Sequence, residues 1–162
     1  MKIRNAEISD ARSICDIYNK AVLETTATLD IHPRTISEQK KYIEERSGAH
    51  IIIVGQILGE VVGFASISPY KNKDGYNSSV ENSIYVSESH RGKGIGKQLL
   101  TEIIELATKQ GFHSIFARIE TKQEPSKNLH TKLGFKSIGT EIEVARKFGR
   151  WLDITIFQKI LE

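Results

Sequence analysis

The run Arg91-Gly92-Lys93-Gly94-Ile95-Gly96 constrains this chain more than any other segment. A strand-like stretch, Ser83 to Val86, leads into it, and a helix-like stretch, Lys97 to Gln110, leaves it. A glycine-rich turn between strand and helix leaves backbone N–H groups free at a helix N-terminus. The helix dipole adds partial positive charge there, so the turn suits a phosphate. The spacing excludes two familiar loops. A Walker loop needs a glycine five places before Gly96, where Arg91 stands, and Ser or Thr after Lys97, where Gln98 stands. A dinucleotide fingerprint needs glycine at position 97, which is Lys. What remains is Arg-x-x-Gly-x-Gly.

The rest of the chain narrows the frame around that loop. A length of 162 residues suits one domain with a substantial core. With 39% hydrophobic and 27% charged residues, the composition is that of an ordinary soluble globular protein. A net charge of +3 favours anionic ligands weakly, and no basic stripe interleaved with aromatics points to nucleic acid. The polar start, Met1 to Asp10, is not a signal peptide, and no apolar run reaches membrane-span length. The single Cys15 fits a reducing cytoplasm, and its place beside Ile14 and Ile17 reads as a packed thiol. No Cys/His cluster has metal-ligand spacing, so no metal is expected.

Periodicity gives the order β-α-α-β-β-β-α-β-α-β-β in a single domain, 1–162. Lys2 to Arg4 is a short strand. Ser9-Asp10 caps a helix carrying Ile14, Ile17, Tyr18, Ala21 and Val22. Thr25 to Arg34 is irregular, and Ser37 opens a second helix toward Arg46. Ile51 to Ile57 and Val61 to Ile67 form a hairpin, and Tyr70 to Ser79 is a polar loop. The helix after the glycine loop buries Leu99, Leu100, Ile103, Ile104 and Ala107 and stops at Gly111. Ile115 to Ile119 alternates as a strand. Pro125-Ser126 starts a short helix with Leu129 and Leu133 inward, and Ile138 to Val144 and Ile154 to Ile160 close the chain as strands. The class is α+β with a mixed sheet, and the loop lies at the C-terminal end of a βαβ strand, where ligands bind.

The Arg-x-x-Gly-x-Gly loop resembles the acetyl-CoA pyrophosphate loop of the GNAT N-acetyltransferase superfamily. Further segments are similar to its phosphinothricin and methionine sulfoximine acetyltransferase group. They are Ile3 to Ala6, Glu24 to Thr28, Pro69 to Lys71, Val80 to Val86, Leu129 to Phe135 and Lys147 to Asp153. The resemblance implies a strongly twisted mixed sheet of about six to seven strands with helices on both faces. It also implies acetyl transfer from acetyl-CoA to the amine of a small amino-acid-like substrate, by a homodimer of such domains.

Acetyl transfer from a thioester to an amine needs a base, because an ammonium near pKa ~10 has no lone pair. It also needs a donor for the developing oxyanion. On the residues alone, Glu81 is either a solvated glutamate at a strand start or a general base. The resemblance assigns it catalysis. His130 is either a helix histidine bonded to a carbonyl or, by the resemblance, a proton donor to the thiolate or an aid to amine deprotonation. The resemblance puts the Val86 backbone N–H on the thioester oxygen, between Tyr85 and Ser87 along the cofactor. It puts Arg91, Gly92, Lys93, Gly94, Ile95, Gly96 and Lys97 around the pyrophosphate, and Gln123, where relatives carry asparagine, on the pantetheine arm. Lys71 and Lys73 stand where relatives carry arginine for the substrate's acidic groups, and Ser78 replaces a tryptophan. Tyr76, Lys147 and Trp151 complete the implied substrate pocket. Two other readings remain open. One is an acetyltransferase for another amine: a protein N-terminus, a polyamine or an aminoglycoside. The other is a non-catalytic acyl-CoA-binding regulator.

Overall fold

The computed structural model describes residues 1–46 and 48–162. Its elements follow the expected order. They are β1 (Lys2–Asn5), α1 (Ala11–Glu24), α2 (Ile36–Glu44), β2 (Ile52–Ile57), β3 (Glu60–Pro69) and β4 (Ser79–Val86). Then come α3 (Ile95–Lys109), β5 (Ser114–Glu120), α4 (Glu124–Lys132), β6 (Lys136–Lys147) and β7 (Arg150–Ile160). The strands form one seven-stranded sheet in the order β1-β2-β3-β4-β5-β7-β6. Only β4 and β5 run parallel; every other neighbouring pair is antiparallel.

Strand alternation puts a core on each face of the sheet. Ile53, Val62, Ile67 and Ile115 meet Leu99, Leu100 and Ile103 of α3 on one side. Ile52, Val54, Val61 and Phe64 meet Ile14, Tyr18 and Val22 of α1 on the other. Helix α2 starts at Ile36 rather than Ser37, because Thr35 and Glu38 form a reciprocal capping box. Asp10 does not cap α1 through its side chain. Its carboxylate instead receives Arg4 through two bonds of 2.7 and 2.9 Å. Strand β4 begins at Ser79, four residues earlier than expected, because the antiparallel pairing with β3 extends to Pro69↔Val80.

One departure from regular pairing positions the site. The parallel pair β4–β5 is joined only at Ser79↔Ser114, Val80↔Ile115 and Glu81↔Phe116. Beyond Glu81 the two strands separate, although β4 continues to Val86 and β5 to Glu120.

Candidate active site

The β3–β4 ladder fixes which backbone donors of β4 face the opening between β4 and β5. Ser87 N donates to Val62 O at 2.9 Å, and Val86 lies opposite Gly63. Antiparallel ladders alternate, so Tyr85 and Ser87 turn their N–H groups toward β3. Val86 therefore turns its N–H the other way, toward the side that β5 has left.

The glycine loop closes one end of this opening. Gly92 and Gly94 have φ of +74° and +78°, a left-handed conformation that glycine adopts without strain. Gly94 is the N-cap of α3, so the helix starts at Ile95, two residues before Lys97, and its first N–H groups have no intrahelical partner. A β-carbon on Gly96 would lie 3.3 Å from Leu129 Cδ2, so the loop packs directly on α4. The resulting groove, about 480 Å³, is lined by Tyr85, Val86, Arg91, Gly92, Gly94, Ile95, Gly96, Lys97 and Gln123 of the expected cofactor residues. Ser87 lines a neighbouring cavity with Arg91 and Lys20, and Lys93 turns back so that Nζ donates to Ser89 O at 2.9 Å. Gln123 spends its amide N–H on Thr26 Oγ1 at 3.0 Å.

A second cavity, about 400 Å³, lies on the other side of the opening and contains Glu81 and His130. The two cavities share Ala27, Ile84, Tyr85 and Ser126. Burial pushes the Glu81 carboxyl up from the ordinary range. The Arg118 guanidinium opposes that rise and Glu141 adds to it. Arg118 is itself paired with Glu141. Tyr18 donates to Asp30, and burial followed by that bond pushes its phenol up to about 12, so it stays a proton donor.

His130 is 2% exposed, whereas Leu129, expected to point inward, is only half-buried. Helix α4 is a short nine-residue turn of chain, and the His130 ring packs edge-on to Phe135 at 4.9 Å. Its Nδ1 lies 2.8 Å from Ser126 O and its Nε2 lies 3.1 Å from Asn82 Oδ1. Burial lowers its pKa, while the Ser126 carbonyl raises it.

The expected substrate residues stand apart from this cavity. Lys71, Lys73, Tyr76, Lys147 and Trp151 are not among its lining residues. Lys71 Nζ sits 5.0 and 5.3 Å from the Tyr70 and Tyr76 rings. Lys73 flanks the turn Asp74–Tyr76. Lys147 is buried and donates to Thr28 O at 2.8 Å, bracing the segment that floors the cavity. Trp151 is 57% exposed on β7. The cavity wall is built instead by Tyr18, Asp30, Arg34, Tyr42, Arg46 and Arg118. Sequence reasoning named none of these six for the site. The irregular stretch ending at Arg34, between two amphipathic helices, was the available signal.

A parallel strand pair that parts beside a glycine loop, with a carboxylate behind the gap, defines a transferase of the acyl-CoA type. The chain belongs to the Acetyltransferase (GNAT) family, which matches residues 13–135. It is 40% identical to the L-methionine sulfoximine/L-methionine sulfone acetyltransferase of Pseudomonas aeruginosa, over 99% of this chain and 94% of that one. It is similar in structure to the ribosomal-protein-alanine N-acetyltransferase of Brucella melitensis, with a TM-score of 0.97, 38% identity, and 99% and 100% of the two chains covered. A phosphinothricin acetyltransferase from Sinorhizobium meliloti in complex with AcCoA superposes with a TM-score of 0.95, at 36% identity over 99% and 88% of the chains.

Proposed function

We propose that this protein transfers the acetyl group of acetyl-CoA to the α-amine of a small amino acid of the methionine sulfone, methionine sulfoximine or phosphinothricin type. The observation that carries this reading is the junction of the two cavities at the parted strands. The glycine loop lies on one side of it and Glu81 on the other. The groove fits acetyl-CoA: left-handed glycines and the free N–H groups of α3 suit a pyrophosphate, and Ile17, Ala21 and Leu129 offer apolar walls for the arm. Bound there, acetyl-CoA supplies an activated acyl thioester.

Glu81 takes the amine proton, directly or through water. Burial raises its pKa, which makes it a stronger base than an ordinary carboxylate. Val86 N–H, held on the strand and pointing into the opening, donates to the oxygen on which charge develops. The family resemblance assigns His130 to the departing thiolate, and its ring lies beside Ser126, which lines both cavities.

The test is acetyl-CoA-dependent thiol release with a panel of amines: the three amino acids above, an alanine-terminated peptide, a polyamine and an aminoglycoside. Turnover with the amino acids, lost in Glu81→Ala, is the expected result. Turnover confined to the peptide or the polyamine would overturn the substrate assignment. Binding of CoA without any amine-dependent release would make the protein a regulator.

A homodimer is part of the same proposal. Strand β6 is a sheet edge, and Ile138, Ile142, Val144, Phe148 and Trp151 are all exposed on the β6–β7 hairpin. Exposed apolar edges of this length are covered in stable proteins. The buried thiol of Cys15 supports a cytoplasmic setting. No helix among the described residues is long and apolar enough to cross a membrane.

A further inference from the structure

The acceptor cavity is electrically two-ended, and its cationic end is only weakly paired. Three arginines line it: Arg34, Arg46 and Arg118. Arg118 is satisfied by Glu141. Arg46 has no carboxylate within ion-pair reach among the described residues; its Nη1 donates to Ile67 O at 2.7 Å and to Ser68 Oγ at 2.8 Å. Arg34 is only loosely paired. Its Nη2 is 3.7 Å from Asp30, and its Nη1 is 3.3 Å from Gln39 Oε1. Charge-assisted bonds of arginine to carboxylate normally close to ~2.8 Å, so the Asp30 contact is a loose one.

Aromatic faces hold both guanidinium groups in place. Arg34 lies 4.2 Å from the Tyr18 ring centroid and 4.5 Å from that of Tyr42. Arg46 lies 4.2 Å from the same Tyr42 ring. Two like charges held against one ring repel each other, and an oxyanion placed near them reduces that repulsion. The distance to the chemistry is short as well. Arg46 is bonded to Ser68, and Ser68 is the cross-strand partner of Glu81, with both residues lining the cavity. Side chains of such partners stand ~5 Å apart on one face of the sheet. A zwitterion whose ammonium faces Glu81 therefore brings its carboxylate to Arg46.

We infer that Arg46, with Arg34 held against the same Tyr42 ring, forms the subsite that receives the carboxylate of the amino-acid substrate. This assignment rests on the proposed amino-acid N-acetyltransferase activity. It places selection for a free acid in the wall made by the segment before α2 and the end of that helix, rather than in the Lys71–Lys73 loop.

The experiment compares L-methionine sulfone, its carboxamide and the decarboxylated amine 3-(methylsulfonyl)propylamine. Each is assayed with wild type, Arg46→Gln, Arg46→Lys and Arg34→Gln, with KM and kcat resolved. Wild type is expected to favour the acid over the carboxamide by about 10- to 100-fold in kcat/KM, the worth of a charge-assisted pair. In Arg46→Gln that preference collapses through a higher KM for the acid, while KM for the carboxamide and for acetyl-CoA stays put. Arg34→Gln does the same to a smaller degree, and Arg46→Lys restores part of the preference. A purely structural role for Arg46 would penalise acid and carboxamide alike, and that result overturns the subsite. So does an acid preference that survives both Gln variants. If wild type acetylates only peptides or polyamines, the functional reading itself has failed, and the two failures are told apart by the wild-type panel alone.

Discussion

His130 Nε2 lies 3.1 Å from the Asn82 amide oxygen, and that amide cannot turn over, because Asn82 Nδ2 donates to Phe116 O at 2.9 Å. On the other side of the ring, Nδ1 faces the Ser126 carbonyl at 2.8 Å. Both neighbours accept. The ring satisfies both only when it carries two protons, yet its burial disfavours the charge. His130 is thus held between a hydrogen-bond pattern that wants imidazolium and a dry environment that wants imidazole. The Asn82 amide also fills the gap at the point where β4 and β5 part.

Removing the Asn82 acceptor should tip that balance. Asn82→Ala is expected to lower the His130 pKa further and to reduce kcat about 10-fold, the worth of one bond to a charged group. Asn82→Asp, which sets a carboxylate beside the ring, is expected to raise the pKa. Titration of the ring nitrogens by 15N NMR reads both directions.

Glu81 sets the acid limb of the pH profile. Its carboxyl is raised by burial, so kcat/KM should fall as the pH drops through a value above the ordinary carboxylate range. Glu81→Gln should abolish that limb and lower the rate about 10²- to 10⁴-fold. The same substitution should raise the melting temperature at neutral pH. A carboxyl whose native pKa is raised binds its proton more tightly when folded, so its charge destabilises the fold above that pKa. Below the ordinary carboxylate range both states are protonated, and the gain from Gln should vanish.

Gly94 controls the cofactor end. An alanine at φ +78° costs about 1–2 kcal/mol and displaces the first turn of α3. Isothermal calorimetry should find acetyl-CoA bound about 10-fold more weakly by Gly94→Ala. Glu102→Ala, on the outer side of the same helix, serves as the control with unchanged affinity.

The Arg4–Asp10 pair ties β1 to the start of α1. Burial pushes the Asp10 carboxyl up, but Arg4 and the Glu7 N–H, at 2.8 Å, more than offset it, and the net shift is downward. Its contribution to stability is complete above the ordinary carboxylate pKa and is lost as pH falls through the lower native value. Asp10→Ala should cost about 3 kcal/mol in urea unfolding at neutral pH, because it leaves Arg4 half-buried without its partner.

The β6–β7 hairpin supplies the last test. Ile142 and Trp151 are 69% and 57% exposed. The double variant Ile142→Asp, Trp151→Glu should run as a monomer in light scattering, where the proposal expects the unaltered protein to run as a dimer. A monomeric unaltered protein would remove the dimer from the proposal.

Much of this was legible along the chain because the signals are local. The strand and helix order follows from periods of two and 3.6, and the glycine loop carries its left-handed turns in its own composition. Element ends were less legible. Strand β4 starts early because β3 pairs with it, and α2 starts early because Thr35 and Glu38 close on each other. Membership of the acetyltransferase family could be read from the loop together with the Val80 to Val86 strand.

The acceptor site was another matter. Sequence by itself determined the fold class, the loop and the strand on which Glu81 and Val86 stand, because each depends on neighbours a few residues away. Only the tertiary structure decided that His130 is buried against Asn82, and that Arg34 and Arg46 share Tyr42 within the cavity of Glu81. Those pairs join residues far apart in the chain. They meet because the sheet register sets Ser68 opposite Glu81 and because β5 parts from β4, and neither relation leaves a periodic trace in the sequence.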